Sequence, residues 1–149
     1  MIKKMGGNMS VAVIGLGFVG LTLSLALAEK GVKVLGVEIK QESFKKLSQG
    51  ISTLNENGIE HFLNRNLGKN FQVFSKLEDL QEKPEFYVLC VATPIQNGLL
   101  NMDHLIRAAR SIGKNMSGDE LVIVRSTCPV GTTRQKIIPV LKEELVKRG

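Results

Sequence analysis

A chain of 149 residues, 43% hydrophobic and 23% charged, suits one domain with a full apolar core and excludes a disordered tail. The formal charge is +6, but the basic residues are scattered, gathered into pairs such as Lys45-Lys46 and Lys147-Arg148, with one Tyr and no Trp. That argues against nucleic acid and for a solvated basic surface that tolerates phosphate-rich ligands. Two cysteines, Cys90 and Cys128, and two isolated histidines, His61 and His104, offer neither a disulfide framework nor a metal-ligand spacing; a reducing, cytoplasmic setting fits.

Met1 to Met9 is polar and glycine-containing and reads as a disordered leader to a domain over 10–149; Met9 can itself serve as a start. Val11 to Ile14 is a β-branched run suited to a buried parallel strand. Gly15, Gly17 and Gly20 follow as G-x-G-x-x-G, and Phe18 to Lys30 is rich in helix formers, with Gly31 where a C-cap belongs. In a strand–turn–helix, Gly15 lets the chain turn, Gly17 lets a pyrophosphate approach the backbone, and Gly20 lets the helix pack on the sheet. The helix then aims free N–H groups and its positive dipole end at the phosphates. A second strand, Lys33 to Val37, ends in Glu38, 18 residues beyond Gly20, close to the spacing expected of the acid that binds a ribose 2′-hydroxyl. Lys3 and Lys4 before an apolar run, with Ala26-Leu27-Ala28 behind it, mimic an export signal. Neither export nor a membrane span, however, needs three glycines at phosphate-loop spacing, so no membrane is expected.

Gln41 to Gln49 reads as a helix with Phe44 and Leu47 on one side and Gly50 at its end. Ile51 to Asn70 exceeds a minimal βαβ repeat: Thr53 to Gly58 is turn-like and Ile59 to Asn66 helical, reaching toward the ligand face or crossing the surface. Phe71 to Phe74 is a third strand, Lys76 to Leu80 a helical turn, and Phe86 to Val91 an apolar central strand that leaves through Ala92-Thr93-Pro94. Asn97-Gly98 signals a turn. Asp103 is placed as the N-cap of a helix to about Met116, with Leu105, Ile106, Ala109 and Ile112 as its buried stripe. Leu121 to Val124 is a fifth strand with an exit loop from Arg125 to Thr133. A last helix over Arg134 to Lys147 carries Ile137, Ile138, Leu141 and Leu145, and Pro139 should interrupt or kink it. Alternating strands and helices give an α/β fold, a doubly wound Rossmann-type parallel sheet of five strands in order 3-2-1-4-5 with helices on both faces. The ligand belongs at the switch between strands 1 and 4, where the loops 15–20, 91–94 and 126–133 converge.

G-L-G-F-V-G, then V-A-T-P after strand 4 and S-T-C-P-V-G-T-T after strand 5, resemble the nucleotide-sugar 6-dehydrogenases that act on UDP-glucose, GDP-mannose or UDP-N-acetylmannosamine. The resemblance covers nearly all of the chain from Ser10 and implies an NAD-binding domain. Members of that family join such a domain to a central helix and a nucleotide-sugar-binding domain, and act as homodimers. They oxidise a sugar C6 alcohol to a carboxylate in two NAD-dependent steps, through a thiohemiacetal and a thioester on a cysteine. The implied cofactor site comprises Gly15, Leu16, Gly17, Phe18, Val19 and Gly20 at the pyrophosphate and Glu38 at the adenosine ribose. Val91, Thr93, Pro94, Ser126 and Thr127 complete it, Thr127 also serving the water-handling network of the hydrolytic step as the one catalytic residue.

The resemblance also marks departures. Glu38 stands where Asp is usual, and Ser43 where a basic residue is common, with Lys40 as a stand-in. V-A-T-P replaces V-P-T-P, and Glu56-Asn57-Gly58-Ile59 stands for E-P-G-L. The family's reactive cysteine and lysine match nothing here. Cys128 sits inside the S-T-x-P motif as a small apolar loop residue, and Cys90 is expected in the core. The chain alone should bind NAD without turnover. Two other readings share the G-L-G-x-x-G opening. One is the cofactor domain of a β-hydroxyacid or 6-phosphogluconate-type dehydrogenase; the other is a non-enzymatic nucleotide-sensing module.

Overall fold

The structure, a computed structural model, describes residues 9–148. Of the leader expected over 1–9, residues 1–8 lie outside the described residues. Met9 is exposed, and its carbonyl accepts the N–H of Lys33 at 3.3 Å.

Five strands, β1 (Ser10–Ile14), β2 (Lys33–Val37), β3 (Phe71–Phe74), β4 (Phe86–Leu89) and β7 (Leu121–Val124), form one sheet in the order β3-β2-β1-β4-β7. Every pairing in it is parallel. This is the expected 3-2-1-4-5 arrangement. A two-stranded hairpin, β5 (Ile95–Gln96) and β6 (Leu99–Leu100), is set into the crossover after β4. Asn97 and Gly98 both take positive φ there, the geometry of a type I′ turn; the sequence reading saw the turn but not the strands beside it.

Alternate residues of each strand feed opposite faces. Val11 and Val13 of β1, Val34 and Val88 pack with Leu21, Leu25 and Ala28 of α1 (Phe18–Glu29), Leu47 of α2 (Gln41–Ser48) and Leu63 of α3 (Ile59–Asn66). Ala12 and Ile14, with Leu35, Val37, Tyr87 and Leu89, meet Leu105, Ala109 and Ile112 of α4 (Asp103–Asn115) and Ile137. Each large aliphatic side chain so buried contributes about 1.5–3 kcal/mol against leaving it in water.

Several element ends differ from expectation for local reasons. The fourth strand was expected to run to Val91 but ends at Leu89. Cys90 N–H still reaches Ile14 O at 2.8 Å, but β1 turns away at Gly15, so the ladder stops. α1 ends at Glu29 rather than Lys30, and α2 at Ser48 rather than Gln49. In α1, Gly31 at φ 80 donates to Ala28 O, and Val32 donates to Leu27 O, which is a Schellman cap. Asp103 is the first helical residue, not the N-cap. The side-chain oxygen of Asn101 accepts the Asp103 N–H at 2.8 Å instead.

The last helix breaks, as Pro139 demanded, but the break takes the form of a widened π turn over Thr133–Ile137 ahead of α5 (Ile138–Val146). Pro139 has no N–H to donate, so it sits in the first turn of α5, and the hydrogen-bond register slips just before it. The slip turns Ile138 outward, 39% exposed, while Ile137 is buried. The buried stripe expected on α4 is corrected at Ile106, which is only partly buried. The 51–70 segment settles as a surface excursion: α3 packs on α1, its Asn66 side chain donating to Glu29 at 2.5 Å. None of its residues borders the cleft described next.

Candidate cofactor site

At the carboxyl ends of β1, β2, β4 and β7 lies a cleft of about 810 Å³, within the range of small-molecule sites. Its floor is the turn from β1 into α1. Gly15 takes φ 92, and a methyl group on it would stand 2.9 Å from Cys90 O. At Gly20 a methyl group would fall 1.8 Å from Gly15 O, so this glycine allows α1 to close on its own turn. Gly17 differs: a methyl group there would meet no atom within 4 Å and would project into open space. Gly17 caps α1 without a side-chain hydrogen bond, and no acidic residue follows in the first turn. The first-turn N–H groups thus have no intrahelical acceptor, and the dipole's positive end is uncompensated. That combination suits an anion.

Glu38, at the end of β2, faces this turn. Its Oε2 accepts the Leu16 N–H at 3.1 Å and its Oε1 accepts the Lys40 N–H at 2.9 Å. The carboxylate therefore braces the glycine turn from the neighbouring strand, and each oxygen retains a lone pair for a ligand hydroxyl. Lys40, Lys76, Arg107 and Arg125 line the same cleft with Glu38 as the single carboxylate, a balance that favours a polyanion. Phe18, Val19 and Ile39 border the cleft while 58%, 43% and 71% exposed, so its rim offers apolar surface to a ring.

On the far side, two exit loops are tied together. Thr93 Oγ1 donates to Thr127 O at 2.8 Å, and Ser126 Oγ donates to Val91 O at 2.8 Å. Val91, Thr93, Ser126 and Thr127 all line the cleft. Of the residues expected from sequence, Gly15, Gly17, Phe18, Val19 and Glu38 line it as well. Leu16, Gly20 and Pro94 do not. The Leu16 side chain is buried against bare Gly36, and Leu16 presents only its amide, to Glu38.

Cys90, expected in the core, is half-buried and lines the cleft beneath the glycine turn. Burial pushes its thiol up, against the pull of Arg125, which keeps it protonated and a poor nucleophile. Cys128 packs partly buried against the core, in keeping with a small apolar loop residue. The sequence reading missed His104, Arg107, Ala108 and Ser111, which line the cleft from α4. Their spacing of three, four and seven is itself a helix face, lying beside the expected stripe of Leu105, Ile106, Ala109 and Ile112. Lys76 and Arg125 were also passed over, although each stands just past the carboxyl end of a strand, where ligands of such sheets bind.

Residues 9–149 match the model of the UDP-glucose/GDP-mannose dehydrogenase family, NAD binding domain. A UDP-N-acetyl-D-mannosamine dehydrogenase of Pyrococcus horikoshii is 36% identical over 85% of this chain and 30% of its own length. A UDP-N-acetyl-D-glucosamine 6-dehydrogenase of Pseudomonas aeruginosa is 36% identical over 91% of this chain and 31% of its own. Among solved structures, a UDP-glucose dehydrogenase from Pyrobaculum islandicum superposes with a TM-score of 0.87 at 26% identity, covering 97% of this chain and 35% of that one. The chain thus spans about a third of the length of the relatives it matches.

Proposed function

The chain belongs to the UDP-glucose/GDP-mannose dehydrogenase family as its NAD-binding domain, and from that premise we propose that it holds the dinucleotide for oxidation of a nucleotide sugar's C6 alcohol to a carboxylate. One observation carries the reading: the Glu38 carboxylate and the bare face of Gly17 border the same cleft, joined through the Leu16 amide. An acid and an open helix N-terminus in that relation fit a ribose and the pyrophosphate attached to it.

In this proposal the turn from β1 into α1, Gly15 through Gly20, receives the pyrophosphate, and Leu16 holds the turn against Glu38. Glu38 accepts the adenosine ribose hydroxyls and repels a 2′-phosphate, which favours NAD over NADP. Phe18, Val19 and Ile39 shield the ligand from water. Val91, Thr93, Ser126 and Thr127 bound the nicotinamide half. NAD, when bound, supplies the hydride acceptor, and the chain's share of catalysis is positioning. Thr127 is the one catalytic residue proposed, as a member of the water-handling network of the hydrolytic step. Binding of the nucleotide sugar and the reactive thiol fall to the two thirds of the relatives' length that this chain does not span. A homodimeric, cytoplasmic enzyme is part of the same proposal. The two free cysteines accord with a reducing setting, and among the described residues no helix is long and apolar enough to cross a membrane.

Amide chemical-shift mapping of the chain with NADH tests the location. The largest shifts are expected at 15–20, 38–40, 91–94 and 125–128. Shifts confined to α3 or the β5–β6 hairpin would place the ligand elsewhere and sink the reading.

A further inference from the structure

We propose that Thr93 and Ser126 form a reciprocal clasp that sets the nicotinamide half of the site, Thr93 acting on the dinucleotide only as a hydrogen-bond acceptor. The inference rests on the NAD-binding reading above.

The ladder between β4 and β7 ends where Arg125 N–H donates to Leu89 O at 2.9 Å. Beyond that bond two neighbouring strands ordinarily splay. Here two hydroxyls extend the pairing into the loops. Ser126, from the β7 side, donates across to Val91 O at 2.8 Å; Thr93, from the β4 side, donates back to Thr127 O at 2.8 Å. Each loop thus supplies one donor and one acceptor, and side-chain oxygens stand in for backbone N–H groups. Pro94 and Pro129 follow within three residues of these contacts and cannot donate, so the hydroxyls carry the pairing at this height.

Two consequences follow. The Thr127 backbone is fixed through its own carbonyl, so the orientation of its hydroxyl depends on Thr93. Thr93 is then a positioning residue for Thr127. The Thr93 hydroxyl, having given its one proton to Thr127 O, retains only lone pairs toward the cleft. The ligand atom seated against it must be a donor, a ribose hydroxyl or a carboxamide N–H, and not a phosphate oxygen. The clasp lies across β4 from Glu38, on the half of the sheet that takes the second nucleotide. An adenosine diphosphate alone, spanning Glu38 and the α1 turn, does not reach it.

The test titrates the 149-residue chain with NADH and with ADP, for the unaltered protein, Thr93→Val, Thr93→Ser and Ser126→Ala. Hydrogen exchange of segment 125–131 is followed without ligand. Expected are a roughly fivefold loss of NADH affinity in Thr93→Val and in Ser126→Ala, unchanged ADP affinity, and faster exchange in 125–131. Thr93→Ser should restore both readouts, and the double variant Thr93→Val/Ser126→Ala should lose less than the product of the single losses. The proposal is overturned if NADH affinity and exchange do not respond to Thr93→Val, if ADP weakens equally, or if Thr93→Ser behaves as Val does. An unaltered chain that binds neither ligand overturns the NAD reading itself, and this inference with it. Binding of both ligands with no response to the variants overturns the clasp alone.

Discussion

At the scale of single residues, the three glycines of the turn do different physical work. A methyl group at Gly20 would stand 1.8 Å from a backbone oxygen, whereas one at Gly17 would meet nothing. Gly20→Ala should therefore cost about 3 kcal/mol of stability through overpacking, read as a lowered urea midpoint. Gly17→Ala should leave stability within about 1 kcal/mol of the parent yet weaken NADH binding on the order of tenfold or more, because its methyl would stand in the approach proposed for the pyrophosphate. Equal effects of the two on stability would contradict the assignment. Tyr87, the single tyrosine, gives an independent check on the core. Burial first, and the Glu120 charge second, push its hydroxyl up to about 12. A group whose folded value is raised contributes stability that is full below its unfolded value of about 10 and is lost as pH climbs from there toward the folded value. Ultraviolet titration of the native chain should find no ionisation near 10, and a midpoint there would show the ring to be solvated.

At the scale of elements, the strands and α1 were legible because their signals are local. β-branched runs, a G-x-G-x-x-G spacing and Gly31 past the helix each specify their structure without help from distant residues. What escaped reading depends on contacts distant in sequence. The Asn101 side chain that accepts the Asp103 N–H, the outward turn of Ile138 and the cleft-facing stripe of α4 are decided by what each segment packs against. The seam between α4 and α5 shows the same dependence. A methyl group at Gly113 would stand 2.9 Å from Glu144 Cβ and 3.4 Å from Leu141 Cα. Glu144 is buried and accepts Arg110 at 2.6 Å and Lys147 at 3.0 Å. The Lys147 ammonium, then Arg110, hold its carboxyl below the usual range against the opposing effect of burial. Gly113→Ala gains about 1 kcal/mol of helix propensity but incurs an overpacking cost of about 1–3 kcal/mol. A net loss of roughly 1 kcal/mol is expected by denaturant titration. A stabilised variant would show that α5 yields freely.

At the scale of the whole molecule, the parallel sheet makes the site. Crossovers on both faces deliver four strands' carboxyl ends to one cleft, and the order reverses between β1 and β4, where the glycine turn opens. Gly17 and Glu38 could be named from sequence because their spacing is tied to strand ends, and Thr93 and Thr127 because the motifs that hold them resemble those of a known family. The cross-strand bonds that organise them, Glu38 to the Leu16 amide and Thr93 to the Thr127 carbonyl, are not written in any local pattern. The central claim is that this cleft selects NAD through Glu38. Calorimetric titration of the chain with NADH, NADPH and UDP-glucose in parallel tests it most directly. The account predicts saturable NADH binding, NADPH weaker on the order of tenfold because its 2′-phosphate meets the carboxylate, and no heat from UDP-glucose. NADPH binding tighter than NADH, or UDP-glucose binding without NADH, would contradict it.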